Sequence, residues 1–459
     1  MERARLMGER SIPALLVSFS IPAIIGMVVQ AMYNVVDRIF IGRGVGALGI
    51  AGATIGFPIM LIIMAFGMLV ALGANALISI RLGEKRMGAA EQVLGNAVVL
   101  LVLLAVALTA GGLIFLTPLL RLFGASETVL PYAREYMRII LMGTIFQSIG
   151  FGMNNFIRGE GNPKIAMLTM IIGAVLNMIL DPIFIFVFGM GIKGAAVATV
   201  ISQGVAATWV LFYFLGGKSQ LKIHLHNLRL DKGIVGSIVA IGSPPFAMQL
   251  AASGIHAILN NQLLRYGGDL AISASGIIWS IAFMIIMPII GLNQGAQPII
   301  GFNYGARMYD RVKRSLQLSI LAATVWVILG FIPTQLFPRA LIGLFNQENE
   351  ELLTLGAHAM RTFMIMLPVI GFQIVSSGYF QAVGKPKQAM ILTLSRQVLL
   401  LIPFLFILPN FFGLNGIWYS GPASDFGSAL LTGTWLLVEI RQLNRKYTKN
   451  AALNPQFAD

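Results

Sequence analysis

Few places in this 459-residue sequence can do chemistry, because few charges enter its long apolar runs. Of 18 acidic residues, Asp37, Asp181 and Asp425 fall inside such runs, while most of the rest lie in loops or at run ends. A carboxylate held in hydrocarbon costs about 2.5 kcal/mol or more unless a partner or water meets it, so these positions are the first to ask about function. Asp37 closes a stripe with Gln30, Tyr33 and Asn34, at spacings that put all four on one helical face. Asn177 and Asp181 are four residues apart, again on one face. With the hydroxyl of Thr199, the two carboxylates and the amide make a set of hard oxygen ligands that a small cation such as Na⁺ accepts. Two neighbouring carboxyls in low dielectric can instead hold H⁺. Arg396 and Asp425 form a different constellation, opposite charges near the middle of consecutive antiparallel runs joined by a short loop, and read as a structural ion pair inside the membrane.

The elements that must position these residues are transmembrane helices. The chain is 57% hydrophobic and only 11% charged, with a mean hydropathy of +0.82, which is too little polar surface for a water-soluble fold. Soluble enzymes, nucleic-acid binders and disordered scaffolds are thereby excluded; the net charge of +14 sits in short clusters between apolar runs, a pattern that orients a polytopic protein. The absence of cysteine removes disulfides, thiolate metal sites and thiol nucleophiles. The apolar run 12–40 is too long for a signal peptide and reads as a retained first span. Twelve helical spans are expected in all, beginning near Ile12, Ala47, Glu91, Leu130, Ile165, Gly194, Ile234, Ala271, Ser315, Leu352, Gln388 and Gly416. With the N-terminus inside, 22 of the 32 basic residues fall in inside segments, so both termini are expected in the cytoplasm of a cell with this protein in its inner (plasma) membrane.

The chain also repeats itself. Gly161, Pro163, Lys164, Ala166 and Met167 recur as Gly384, Pro386, Lys387, Ala389 and Met390, an offset of 223. Gly73-Ala74 recurs as Gly295-Ala296, Gly191 and Gly194 as Gly413 and Gly416, and Pro22 as Pro244, all at 222. Six spans per repeat keep both halves in one orientation, which predicts an all-α polytopic protein of two homologous six-helix lobes facing a central cleft, as in an alternating-access carrier. The expected boundaries are a first lobe 1–216, a cytoplasmic connector 217–232 and a second lobe 233–459. At 1.5 Å per residue, Asp37, Asn177, Asp181 and Thr199 come to one level, with Asp181 and Thr199 ~10 to 12 Å below the outer surface. The equivalent positions of the second lobe hold Asn260, Leu400, Phe404 and Gly421 or Pro422, so the cluster is not duplicated: the first lobe carries the coupling ion and the second mainly shape.

The stripe Gln30-x-x-Tyr33-Asn34-x-x-Asp37, the turn Ile157-Arg158-Gly159-Glu160-Gly161-Asn162-Pro163-Lys164 and Asn177-x-x-x-Asp181-Pro182 resemble the MATE (multidrug and toxic compound extrusion) family over nearly the whole chain. The resemblance implies a V-shaped, twelve-span antiporter that exports cationic or amphipathic drugs in exchange for H⁺ or Na⁺. Within the family the first-lobe residues look like the DinF-like branch, whose ion- or proton-binding residues match Asp37, Asn177, Asp181 and Thr199, and whose substrate-side positions match Tyr33 and Asn154. Gln30 and Asn34, on the stripe with Tyr33, join the expected substrate residues. The other large bacterial branch carries acidic residues in spans seven and ten; here span seven offers Ser253, His256 and Asn260, and span ten Gln373, Ser376 and Ser377.

The remaining alternatives fare less well. No phosphate-binding loop of an ATP-driven pump is present, since Gly217-Lys218-Ser219 has Phe212 where such a loop needs glycine, and the chain is not expected to be an enzyme. His224 and His226 read as part of a solvated loop rather than a metal pair. A flippase for a lipid-linked or amphipathic substrate shares the architecture and stays open as the second reading. The expected partners are small drugs or toxic organic compounds and membrane lipid, with no nucleic acid, no cofactor beyond the coupling ion, and a monomeric state.

Overall fold

The computed structural model describes residues 2–453 apart from 46, 124, 126 and 345–349; among these there are helices and turns and no β-strand. Span one is α2 (Ile12–Val45), preceded by a short helix α1 (Glu2–Glu9), and span two is α3 (Ala47–Gly83). Span three is α4 (Met87–Ile114), followed by the short α5 (Leu116–Leu122). Span four is α6 (Leu130–Met142) continued past Gly143 as α7 (Thr144–Gly159). Spans five and six are α8 (Pro163–Pro182), extended by a π-helical turn (Ile183–Val187), and α9 (Ile192–Leu215). Spans seven and eight share α10 (Lys232–Gly305), which breaks at Gly268 with φ +64°. Span nine is α11 (Tyr309–Leu336), followed by the short α12 (Pro338–Gly343). Span ten is α13 (Glu350–Phe363) and α14 (Leu367–Ala382), bent by 47° where they meet. Span eleven joins α15 (Pro386–Leu394), a π-helical turn (Ser395–Leu401) and α16 (Ile402–Phe412), and span twelve is α17 (Leu414–Leu453). Among the described residues nine helices are long and apolar enough to cross a membrane, and the bent span ten makes a tenth. The split span four and span twelve, which becomes polar toward its end, complete the twelve.

Local chemistry explains the recurring boundaries. Pro163 and Pro386 open α8 and α15, where a missing N–H costs nothing, and each follows a glycine with positive φ, Gly161 at +93° and Gly384 at +71°. The internal repeat appears in the backbone as well. Lys85 and Arg307, at equivalent positions of the two halves, are the two non-glycine residues with positive φ among those described, at +60° and +61°. Pro182 lacks the N–H that a regular turn needs, and the chain passes directly into the π-helical turn that ends span five.

The two lobes meet through glycines, and the contacts are reciprocal. A Cβ at Gly83 would collide with the Phe302 carbonyl oxygen, and a Cβ at Gly305 with that of Ile80; the repeat carries one pair onto the other. Gly73 likewise packs on Ile238 and Gly242, and Gly295 on Phe19 and Ser20. Such exchange is what a two-fold relation between lobes requires. All these contacts lie toward the end that carries the basic turns, and the Phe66–Phe246 ring pair, with centroids 5.0 Å apart, closes the seam farther in. The two lobes thus touch closely toward their basic end. Alanine at Gly83 or Gly242 meets backbone carbonyls that cannot yield and is expected to cost about 1–3 kcal/mol of overpacking. Thermal unfolding in detergent checks this, with Gly111→Ala as the neutral or stabilising comparison, since nothing lies within 4 Å of its Cβ.

Each lobe ties its last span to the turn between its fourth and fifth through a buried carboxylate. In the first lobe Glu160, with no exposed surface, accepts from the Tyr213 hydroxyl, from Ser219 Oγ at 2.5 Å, and from the amides of Gln220 and Leu221 at 3.1 and 3.4 Å. In the second the chemistry is exchanged: Glu439 on span twelve accepts from Tyr379 at 2.9 Å and from Lys385, in the turn, at 2.5 Å. Burial pushes Glu160 above the usual carboxylate range more than its four donors pull it down. The folded protein therefore binds this proton more tightly than the unfolded chain. Its contribution to stability is complete at acid pH and is lost as pH rises through the folded value. Unfolding midpoints measured from pH 4 upward should fall less steeply for Glu160→Gln than for the wild type.

Candidate functional site

The intramembrane carboxylates of the first lobe sit where spans one, five and six come together. Small residues set that approach: Gly26 on α2 faces Met170 on α8, Gly44 faces Ile185 just beyond it, and Gly194 on α9 lies against the backbone of Phe184. Into the shared interior point Asp37, Asn177, Asp181 and Thr199, each less than a tenth exposed. Asn177 Nδ2 donates to Asp181 Oδ1 at 3.3 Å and to Thr199 Oγ1 at 3.2 Å, joining spans five and six. Asp37 brings span one into the same network through a hydrogen bond with Asp181, and Tyr33, one turn before it, bonds Thr199. All four residues expected to hold the cation are in one cluster, and Tyr33, expected on the substrate side, is part of it.

Two buried acceptors in this cluster, Asp181 Oδ2 and Asn177 Oδ1, meet no donor. A buried oxygen without a donor costs about 1–3 kcal/mol, a debt that a proton or a bare cation relieves. Among the described residues no group of three or more His, Cys, Asp or Glu gathers anywhere. Two carboxylates with an amide and two hydroxyls are too weak a set for a transition metal and suit a monovalent cation or H⁺.

The other sequence-derived residues are placed as follows. Gln30 is half-buried on α2, and the side chain of Asn34 lies outside the described residues, as does that of Ser253. Asn154 is not beside the cluster. It sits on α7 one turn from Arg158, buried, with its amide oriented to donate to the Ala166 carbonyl at 2.9 Å and to accept from Arg158 at 3.2 Å. Arg158 in turn donates across the seam to Gln294 of the second lobe. His256 and Asn260 are exposed, the His256 ring lying 5.2 Å from that of Trp279. In the second lobe Arg396 Nε stands 2.5 Å from Asp425 Oδ1, and Gln373 holds the Asp425 carbonyl at 2.7 Å. His224 and His226 stack at 5.3 Å, with His224 leaning on Glu91 at 3.5 Å. Sequence reasoning missed the roles of Glu160, Glu439 and the Arg158–Gln294 pair. The only signal for Glu160 was its place in the turn motif.

A sequence model of the MatE family matches residues 22–183 and again 244–407, one copy in each lobe, at the spacing of the internal repeat. The chain belongs to the MATE family. Its relatives include the multidrug export protein MepA of Staphylococcus haemolyticus, 27% identical over 412 residues that make up 90% of each protein. Among solved structures, the MATE multidrug transporter DinF-BH is 43% identical, with a TM-score of 0.88 over 95% of this chain and 97% of that one. The outward-facing conformation of a multidrug resistance MATE transporter of the MOP superfamily matches at a TM-score of 0.90 and 27% identity, over 97% of this chain and 99% of that one. This chain is therefore a multi-pass membrane protein of the MATE multidrug efflux family, with the family's two-lobed, twelve-span fold.

Proposed function

We propose that this MATE protein is a secondary antiporter that exports cationic or amphipathic drugs in exchange for H⁺ or Na⁺, with the coupling cation held by Asp37, Asn177, Asp181 and Thr199. The observation that carries this reading is the hydrogen-bonded Asp37–Asp181 pair buried among spans one, five and six, with orphaned acceptors beside it. Two carboxyls at hydrogen-bonding distance hold a proton between them or share a cation, and repel once both are bare. With the basic end open and the cluster without its cation, drug enters between the lobes, contacting Gln30, Tyr33, Asn34 and Asn154. Rocking then exposes it at the far side, where the cation binds the cluster and displaces it. Tyr33 links the two events, since its hydroxyl bonds Thr199 within the cation set while it shares its helical face with Gln30 and Asn34 of the substrate set. Linkage demands that cation and drug each weaken the other's binding by one common factor.

In this reading the lobes are residues 1–216 and 233–459, the basic end faces the cytoplasm, the protein acts as a monomer in the plasma membrane, and it carries out no enzymatic step. The test is efflux of a fluorescent lipophilic cation from proteoliposomes under an imposed Na⁺ gradient and, separately, a pH gradient. Export driven by one gradient identifies the ion. No export under either overturns the antiport reading and favours flipping of a lipid-linked substrate. Equilibrium drug binding provides a second check: affinity is expected to fall by about 5- to 100-fold as the coupling cation is raised, and an unchanged affinity would show that the two sites are not linked.

A further inference from the structure

Helix α1 lies against span two of the first lobe and against α10 of the second, and the second lobe supplies the side chains that bond its end. Met7, with no exposed surface, is seated on the second lobe: its carbonyl accepts from Asn303 at 3.1 Å and from Arg311 at 3.0 Å. Arg311 also donates to the Arg10 carbonyl at 2.7 Å and is itself steadied by Asn303 Oδ1 at 2.9 Å. These carbonyls are the unpaired acceptors at the end of α1, where a guanidinium meets both their lone pairs and the negative end of the helix dipole. Gly8 completes the contact by lying flush on Met308 and Phe302; a Cβ there would approach Met308 Cε to 3.0 Å. Close to the start of the chain α1 is thus fastened to spans eight and nine, while α2, which follows it, belongs to the first lobe.

The connector does the converse. Before entering span seven its 3₁₀ turn (Leu225–Leu228) is fastened to span three of the first lobe, where Asn96 donates to the Asn227 carbonyl at 3.3 Å and accepts from the Asp231 amide at 2.7 Å. The two arrangements differ in one respect. The repeat maps the seat that α1 fills, at Asn303 and Arg311, onto Arg81 and Ala89 of the first lobe, which line a cavity of about 180 Å³. Ala89 offers no donor where Arg311 offers three bonds, so the seat for a leading helix is a property of the second lobe alone.

We infer that α1 is a releasable strap across the basic end: docked on Asn303 and Arg311 it holds the lobes together there, and it must leave that seat for the cleft to open on this side. The inference rests on the alternating-access reading above. A strap joining bodies that separate has to stretch, move or break, and the α1 bonds are a small, polar set that water replaces at little cost.

The cysteine-free chain makes the test direct. Ser20→Cys places one thiol in the seam, against Gly295. Its alkylation rate in detergent should rise about fivefold when combined with Arg311→Gln or with deletion of residues 2–9, and stay at the parent rate with Arg339→Gln, which breaks a surface pair at the opposite end. A rate unmoved by Arg311→Gln and by the deletion would overturn the strap. Independently, Gly8→Cys with Met308→Cys, joined by a short reducible bis-methanethiosulfonate linker, should lose transport and regain it on reduction. Full transport with the linker in place would equally overturn it. If the unlinked protein transports under neither gradient, the antiport reading fails instead, and the alkylation rates decide the strap alone.

Discussion

Asp37→Asn and Asp181→Asn each reduce gradient-driven efflux to background, a loss of about 100-fold, while the protein still folds and inserts. The reason lies in what the amide keeps and what it removes. It preserves the size of the side chain and its hydrogen bonds to Asn177 or across to span one, but it takes away the charge that a cation must find. Without that charge the two lobes can still rock, so downhill equilibration of drug continues and only its coupling to the ion is lost. Thr199→Ala and Asn177→Leu should produce smaller defects, because each deletes one neutral ligand of a set that holds two carboxylates. The measurement is the ratio of driven to undriven flux in proteoliposomes. Normal driven export by Asp37→Asn would show that the coupling cation binds elsewhere.

The second large effect is on stability. Arg396→Met removes the cation facing Asp425, whose side chain is 6% exposed, and is expected to cost about 3 kcal/mol, since breaking a buried pair strands its partner. The double variant Arg396→Met with Asp425→Leu should recover most of that loss, because replacing both members with apolar groups removes the desolvation penalty along with the attraction. The Gln373 bond to the Asp425 carbonyl survives in both variants, being made to the main chain. Unfolding in detergent measures the first prediction and efflux the second: a double variant that is stable and exports at the wild-type rate marks the pair as architecture. A stable double variant without transport would instead place Arg396 and Asp425 in the mechanism.

Much of this molecule is legible in the order of its residues. Span starts read from hydropathy fall within a few residues of the helices at Ile12, Ala47, Leu130 and Leu414, because burial in lipid forces each apolar run to satisfy its own backbone. The constant offset found in short motifs returns as matched positive φ values at Lys85 and Arg307 and as reciprocal glycine contacts between the lobes. Asp37 and Asp181 announced themselves because an acidic residue in hydrocarbon is expensive wherever the fold puts it, and Asn177 followed as the residue one turn before Asp181 on the same face. Asn154 shows what the order of residues leaves open. The family resemblance put it among the substrate residues, and folding sets its amide against the Ala166 carbonyl and Arg158, partners that no local pattern names.

The sequence by itself determined what depends on each segment alone: twelve spans, their duplication and the rarity of charge within them. Tertiary structure decided what depends on pairs far apart in the chain. Glu160 and Glu439 look like ordinary loop and end residues until folding sets them against tyrosines 53 and 60 residues away. The seat of α1 joins Met7 to Asn303, 296 residues later. Hydrophobicity fixes which stretches enter the bilayer, but it is indifferent to which of them touch, and that choice falls to small residues and a few directional hydrogen bonds that have no local signature.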